Sequence, residues 1–434
     1  MRTKNPQVSL SDIFIVAMFV AIAISASYLL YGSRESADLM AVWLAGHFMH
    51  SGNVQNIYAN DTNYFTMLPP ADWVEYVQAQ GHKGQIYPFV YPPIWAFVVG
   101  KLSPFFSFEG FRAVANVVNP TLVIATIYLA WRTMSVASAV VPTLLNFMLI
   151  GFVVTFATWI GGGALFENQP QILVSLLIVL AIERSTSHAP VAAGAALALA
   201  ASIKLYPAVF ALMWLAGGNR KEVLAFTIIG TALGLLSVLL VGWPAHKIFL
   251  EQIRLISGTG FLNMFNFSVD ATLANLLRPS DLEFIESIPS RGMENQNLGW
   301  FSMAKPKAWA ALSATLMVAS ITIMMVAART KRGLIAIWPF AFALLALVSP
   351  LSWSYHFLTA VVFAPAFIRQ FNTLRGWLLL GLVFVPLNIW FAPFAGFFSP
   401  QVWSLQLIGN LTMTTYMICW AVLIFRAPRN VGAI

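Results

Sequence analysis

The chain has 434 residues, of which 59% are hydrophobic and only 9% are charged, whereas a typical soluble domain has roughly 25% charged residues. This composition excludes a soluble globular protein and predicts a polytopic membrane protein. The formal net charge of +8 does not indicate nucleic-acid binding, because Lys and Arg stand singly or in pairs between apolar runs, as in membrane loops. A single cysteine, Cys419, excludes an intramolecular disulfide and a cysteine cluster for zinc.

Apolar runs define the predicted membrane spans, each of which needs about 20 apolar residues. Runs near that length are 13–31, 108–131, 137–160, 221–243, 306–328, 333–350, 352–369, 375–392 and 402–425, and three shorter ones are 171–183, 189–203 and 205–218. We expect the first run to remain as an anchor, because it is longer than the apolar region of a typical signal peptide.

Basic residues set the predicted topology through the positive-inside rule. The rule places these residues in the cytoplasm: Arg2, Lys4, Arg132, Arg184, Arg220, Lys221, Arg329, Lys331, Arg332, Arg369, Arg375, Arg426 and Arg429. All of these positions agree with one topology only if the segment 91–106 does not cross the membrane. This segment begins with Pro92 and Pro93 and has only a short apolar stretch, so we expect an interfacial or re-entrant helix. The sequence therefore predicts an all-α, single integral-membrane domain (1–434) with about twelve transmembrane helices. Both termini are cytoplasmic, and the loops 32–107 and 244–305 lie outside.

Two acids follow the first predicted span, in the stretch "ESADLMAVWLAGHFMHSG" (35–52). On a helix, Asp38 shares an arc with small and apolar residues, whereas Glu35 lies closer to His47 and His50. An acid in an apolar arc should have a raised pKa, which suits a general base. The alternative is that Asp38 only stabilises the positive end of a helix.

Lys204 stands between two short apolar runs in "ASIKLYPAVF" (201–210), where Pro207 interrupts the helix. Irregular backbone at such a place is tolerated where it lines a cavity. The Lys204 side chain either reaches the lipid headgroups or binds an anion such as a lipid phosphate. His356, in "SPLSWSYHF" (349–357), is a second candidate for phosphate binding, with a buried histidine in the bundle as the alternative.

Polar residues in the outer turns are the candidate sugar and acceptor contacts. The turn "GGGALFENQPQ" (161–171) offers Glu167 and Gln169, although a plain flexible turn fits it equally well. Asn266 precedes Ser268, which we expect to cap a surface helix. Tyr355 and Glu35 complete this set of candidates.

Several enzyme and transporter classes lack support in the sequence. It contains no HExxH, G-x-S-x-G, P-loop or D-x-D motif. The predicted spans hold almost no ionisable residues at mid-depth, although ion-coupled transporters usually need them there. We expect the chemistry at the outer membrane surface.

Taken in order, these segments resemble glycosyltransferase family 87. The resemblance rests on Asp38, Gly52 and Tyr58 after the first span, then "YPP" (91–93), Gln169, "AASIKLYP" (200–207), the N-x-S at 266–268 and "SPLSWSYHF" (349–357). One departure is visible, because Tyr355 stands where the family commonly has the first of two histidines. The resemblance implies the GT-C fold, juxtamembrane helices in the first outer loop and a polyprenyl-phosphate sugar donor, typically carrying mannose.

The resemblance and the residues together predict an inverting glycosyltransferase of the bacterial inner membrane. It would move a hexose, in the first instance mannose, from polyprenyl phosphate to a lipid-linked or cell-envelope glycan at the periplasmic face. Asp38 would be the base, and Lys204 and His356 would bind the donor phosphate. We expect no metal or other cofactor. The alternatives are a polysaccharide polymerase or ligase with polyprenyl-diphosphate donors, which favours several outer arginines, and a lipid or sugar transporter.

Overall fold

The computed structural model describes residues 9–426 apart from 62, 83, 138–139, 288–298, 331–334 and 391–403. Among the basic residues used for the topology, Arg2, Lys4, Lys331, Arg332 and Arg429 lie outside the described residues. Nineteen helices are present in the described part: α1 (Leu10–Tyr31), α2 (Ala37–His50), α3 (Ala71–Ala79), α4 (Pro93–Leu102), α5 (Phe108–Ala137), α6 (Leu144–Phe156), α7 (Gly161–Phe166), α8 (Gln171–Thr186), α9 (Pro190–Ile203), α10 (Val209–Gly217), α11 (Arg220–Val241), α12 (Trp243–Ser257), α13 (Val269–Leu277), α14 (Lys307–Thr330), α15 (Ile337–Val348), α16 (Leu358–Val361), α17 (Phe367–Gln370), α18 (Thr373–Phe384) and α19 (Ser404–Arg426).

Five of these helices are long and apolar enough to cross a membrane, which confirms the membrane class: Leu10–Tyr31, Phe108–Ala137, Arg220–Val241, Lys307–Thr330 and Leu405–Arg426. Their outer faces remain apolar, as Leu224, Ile228 and Leu239 of α11 show by being largely exposed. Exposed leucines in such a row fit a lipid environment, because lipid does not penalise apolar surface as water does.

The run 352–369, predicted as one span, is not a continuous helix. It consists of a 3₁₀ turn at Ser354–Phe357, α16, a second 3₁₀ turn at Ala364–Ala366, and α17. Pro365 cannot donate a helical hydrogen bond, and nearly all side chains of the run are buried inside the bundle. Irregular backbone is tolerated at membrane depth when protein surrounds it.

The segment 32–107, which is predicted to be the first outer loop with juxtamembrane helices, contains α2, α3 and α4. The ten residues of α4 measure about 15 Å, half of the roughly 30 Å needed to cross the hydrocarbon core. Helix α4 packs closely on α2, because a Cβ at Gly46 would lie 2.6 Å from Val99 and one at Gly100 would lie 2.8 Å from the Gly46 carbonyl oxygen. The two glycines therefore fix α4 against the helix that carries Asp38.

The second outer segment holds a small sheet that the all-α prediction did not include. Strands β1 (Thr259–Leu262), β2 (Glu283–Glu286) and β3 (Gly299–Ala304) pair antiparallel in the order β1-β3-β2, with Gly260 opposite Met303 and Phe284 opposite Phe301. Phe261 and Trp300 of the sheet pack with Phe65 and Met67 of the first outer loop. Side chains of the segments 32–107 and 244–305 thus form one apolar layer.

Candidate active site

Four separate segments of the chain meet at one cavity of about 300 Å³ beneath this apolar layer. The start of α2, the turn between α7 and α8, the end of α9 and the junction between α15 and α16 each contribute polar side chains. These side chains are Asp38, Gln169, Lys204, Tyr355 and His356, and Tyr91 joins them from the segment before α4. The structure therefore brings together five of the eight predicted site residues.

The Gln169 amide holds the Asp38 carboxylate. Gln169 Nε2 donates to Asp38 Oδ2 and, at 2.9 Å, to the Tyr355 hydroxyl, while Gln169 Oε1 accepts from the Tyr91 hydroxyl at 2.9 Å. The Gln169 side chain is 2% exposed, so its amide orientation is fixed by these three bonds. Asp38 is only partly buried because its carboxylate faces the cavity.

Lys204 points into the cavity and not toward the lipid surface. Its backbone is extended (φ −135°, ψ 138°) directly after α9, which directs the side chain toward the other site residues. Lys204 Nζ lies 3.1 Å from His356 Nε2, 5.5 Å from the centre of the Tyr91 ring and 5.3 Å from that of Tyr355. An ammonium only donates, so the neutral His356 ring accepts at Nε2 when Lys204 is charged.

Burial shifts the pKa values of the two central groups toward neutrality. Removal from water raises the pKa of Asp38 to about 6, against the opposing effects of the Gln169 hydrogen bond and the Lys204 charge. Removal from water also lowers the pKa of Lys204 to about 7, opposed by the Asp38 charge. A carboxylate that titrates near pH 6 can remove a proton from a hydroxyl, and a charged lysine beside it can stabilise a departing anion.

Glu167 does not line the cavity but stabilises the start of α2. Its Oε2 accepts from the Asp38 backbone N–H at 3.2 Å, where a carboxylate is favoured by the helix dipole. Burial and, second to it, the nearby Asp38 charge together raise the pKa of Glu167 to about 8.

Glu35 and Asn266, the other two candidate contacts, also lie outside the cavity. Glu35 is exposed and lies against Gly84. Asn266 is fully buried, and its amide donates to the Phe261 carbonyl at 2.8 Å and accepts from the Ser352 backbone N–H at 3.0 Å. Asn266 thus ties the sheet to the loop before Tyr355, and Ser268 caps α13 by accepting from the Ala271 N–H, as predicted.

Tyr91 lines the site, although sequence analysis assigned it no role. The "YPP" segment pointed to it, but only the fold shows that its hydroxyl reaches Gln169 and its ring faces Lys204. Tyr87 lines the same cavity, and burial keeps the pKa values of both tyrosines well above their usual range. Among the residues that the structure describes, no group of three His, Cys, Asp or Glu side chains could hold a metal ion.

A second cavity of about 490 Å³ adjoins the first, and we call it the side groove. It lies between α4, α9, α11 and α12 and is lined mainly by apolar and small residues, among them Ile94, Ala198, Phe226, Gly234 and Leu250. Pro92, Leu205 and Phe249 line both cavities. The side groove therefore borders α11 on one side and, on the other, residues that also line the polar site.

A comparison with protein-family models matches residues 89–350 to glycosyltransferase family 87. A search among curated proteins gave no match. The matched stretch carries Tyr91, Gln169 and Lys204 and ends at Pro350, before Tyr355. Because the match covers more than half of the chain and all but the first and last elements of the site, the protein belongs to glycosyltransferase family 87 and is a membrane glycosyltransferase.

Proposed function

We propose that the protein transfers a hexose, in the first instance mannose, from a polyprenyl-phosphate donor to a lipid-linked or cell-envelope glycan, with inversion at the anomeric carbon. The observation that carries this proposal is the meeting of Asp38 and Lys204 in one cavity. One group is suited to accept a proton and the other to bind a phosphate, and both pKa values lie near neutral pH.

The reaction needs one displacement step. An acceptor hydroxyl attacks the anomeric carbon as Asp38 takes the hydroxyl proton, so a new C–O glycosidic bond forms. The bond between the anomeric carbon and the phosphate oxygen breaks, and polyprenyl phosphate leaves with that electron pair. Lys204 stabilises the charge that develops on the leaving oxygen, and Gln169 keeps the Asp38 carboxylate in place.

The side groove supports a donor with a long lipid chain. Its lining is mostly apolar and it reaches the lipid-facing side of α11, so isoprenoid units can be buried there at about 0.8 kcal/mol per CH₂ group. Pro92, Leu205 and Phe249, shared by both cavities, would lie beside the link between lipid and phosphate.

The number of basic side chains on the cavity lining favours a monophosphate donor over a diphosphate donor. Lys204 is the one lysine or arginine on the cavity lining in the described part of the chain, whereas a polymerase or ligase using diphosphate donors favours several arginines. Family membership favours transfer over the transporter alternative, because the family is one of glycosyltransferases.

We infer the membrane arrangement from charge and element length. It has about twelve crossings in the GT-C manner, cytoplasmic termini, and the site at the outer face of a bacterial inner membrane. Helix α4 is too short to cross the membrane, which supports this number of crossings. The segments 32–107 and 244–305 also pack against each other beside the cavity, as expected if both lie on the same side.

The direct test is to incubate purified protein with separate polyprenyl-phosphate hexoses and a lipid extract of the host, and to search for new glycolipids by mass spectrometry. We expect a hexose addition with polyprenyl-phosphate mannose and none with the Asp38→Asn variant. Product formed only from a polyprenyl-diphosphate sugar would overturn the donor assignment, and no product from any donor would overturn the function.

A further inference from the structure

Two residues with left-handed backbone contact each other beside the site. Ser36 (φ 54°) and Asn168 (φ 48°) are two of the five non-glycine residues with positive φ in the described part of the chain. This conformation costs free energy for a side chain with a Cβ, and it persists where the surroundings impose it. Ser36 comes two residues before Asp38, and Asn168 comes directly before Gln169.

The Asn168 amide connects the turn between α7 and α8 to the start of α2 and to α5. Its Nδ2 donates to Ser36 Oγ at 2.9 Å and to Asn116 Oδ1 at 2.8 Å, and its Oδ1 accepts from Asn119 Nδ2 at 2.9 Å. Ser36 and Asn168 are 2% and 3% exposed. Asn116 and Asn119 belong to α5 just before its internal proline, so the network attaches both turns to this 30-residue helix.

The start of α2 depends on this network, because Ser36 does not cap the helix itself. A usual N-cap residue has extended backbone and accepts a hydrogen bond from its own helix. The Ser36 hydroxyl instead donates to the Phe166 carbonyl at 3.3 Å. Glu167 accepts the Asp38 N–H in its place, so the side-chain contacts of Ser36 and the Asp38 N–H both go to residues 166–168.

We propose that Asn168 is a positioning residue, which holds the left-handed turns at Ser36 and at itself in register so that the Asp38 carboxylate and the Gln169 amide meet. This inference rests on the proposed role of Asp38 as the base. Asn168 touches neither the cavity nor the reacting atoms. Its effect is to fix the distance between two elements that are about 130 residues apart in sequence.

The test is the Asn168→Gly variant of the full chain, because glycine adopts positive φ freely and only the amide bonds are lost. Initial rates of hexose transfer from polyprenyl-phosphate mannose to the host lipid extract give kcat and KM. We expect kcat to fall about 10- to 100-fold, the size of effect produced by a misplacement of about 1 Å. The donor KM should change by less than about threefold, since donor binding is untouched.

The pH profile separates positioning from a merely structural role. The groups that face Asp38 are Glu167, Lys204, Tyr87, Tyr91 and Tyr355. Loss of the Gln169 hydrogen bond removes an interaction that favours the Asp38 carboxylate, so the acidic limb of the Asn168→Gly profile should move to higher pH. A loss of activity with an unmoved limb, in step with a loss of folded protein, would overturn the proposal.

Matched variants complete the experiment. His188→Gly replaces another left-handed residue, on an exposed turn away from the cavity, and should leave kcat unchanged. Ser36→Gly gives a second variant if Asn168→Gly does not fold, and the double variant should lose no more activity than the worse single one. Normal kcat in Asn168→Gly beside an inactive Asp38→Asn would overturn the positioning role alone, whereas an active Asp38→Asn would overturn the proposed base.

Discussion

The Lys204 ammonium group is contacted by uncharged side chains that stabilise a cation but do not form an ion pair with it. The rings of Tyr91 and Tyr355 face its ammonium group and the His356 ring accepts from it, and cations are attracted to aromatic faces. None of these groups carries a full negative charge at neutral pH. Asp38 is the acid whose charge acts on Lys204, but no ion pair joins the two in the described part of the chain, so the ammonium group can pair with an incoming phosphate.

Lys204→Ala should weaken donor use far more than Lys204→Arg. Loss of a charged hydrogen bond to a phosphate costs about 2–3 kcal/mol, or roughly 30- to 150-fold in kcat/KM for the donor, while arginine restores the charge. The control is Lys101→Ala, at the exposed end of α4. Normal turnover in the Lys204→Ala variant would contradict phosphate binding by this residue.

The pH profile of kcat/KM, which reports the pKa values of the free enzyme, should be bell-shaped. Below the Asp38 pKa of about 6 the base is protonated, and above the Lys204 pKa of about 7 the phosphate-binding charge is lost. Because bound phosphate favours the charged lysine, the alkaline limb of kcat should lie at higher pH than that of kcat/KM. Lys204→Arg should abolish the alkaline limb, since arginine stays charged, and a limb that persists in this variant would assign it to another group.

At the scale of elements, the side groove can be tested through a helix glycine. A Cβ at Gly234 of α11 would meet no atom within 4 Å, and Gly234 lines the groove, so the ring of Gly234→Phe should occupy part of the groove. We expect the KM for a long-chain polyprenyl donor to rise about tenfold, because the ring displaces buried isoprenoid carbon, and the KM for a short-chain analogue to stay constant. Gly381→Phe on α18, at an equally open position outside the groove, is the matched control, and equal effects on both donors would contradict the assignment.

The membrane topology can be tested by finding on which side of the membrane the residues after α4 lie. Residues 107–110 follow this helix, and if α4 lies at the outer surface, a cysteine placed there should react with an impermeant thiol reagent added from outside. The chain offers a clean background, because its one native cysteine, Cys419, is buried. Labelling from the cytoplasmic side only would mean that 91–106 crosses, and it would reverse the side of every later loop.

The sequence predicts helices correctly where the length and the apolar character of a single run determine the structure. The long runs became α1, α5, α11, α14 and α19, and Pro207 marked the break after α9. The broken backbone of 352–369 and the sheet of the second outer segment were not predicted, because burial by distant elements stabilises both.

At the scale of the whole molecule, the site combines residues that lie far apart in sequence. Asp38 was predicted from its apolar arc and Lys204 from its interrupted helix, since each has a local signal, and both line the cavity. The roles of Gln169, Tyr91 and Asn168 depend on which elements pack together, and a single amide side chain in a turn carries no such information. The sequence likewise does not show which groups Glu167 and Asn266 contact. They were predicted to contact the sugar or the acceptor, whereas their hydrogen bonds in the structure are with backbone groups.

The central claim is that Asp38 is the base of a glycosyl transfer, and a pair of isosteric variants tests it most directly. Asp38→Asn retains the size of the side chain but cannot accept the acceptor proton, so hexose transfer at matched expression should fall about 100-fold or more, while the folded fraction is retained. Glu35→Gln, one turn earlier and exposed, should keep most of its activity. An active Asp38→Asn enzyme would contradict the account, and an inactive Glu35→Gln beside it would place the base at Glu35.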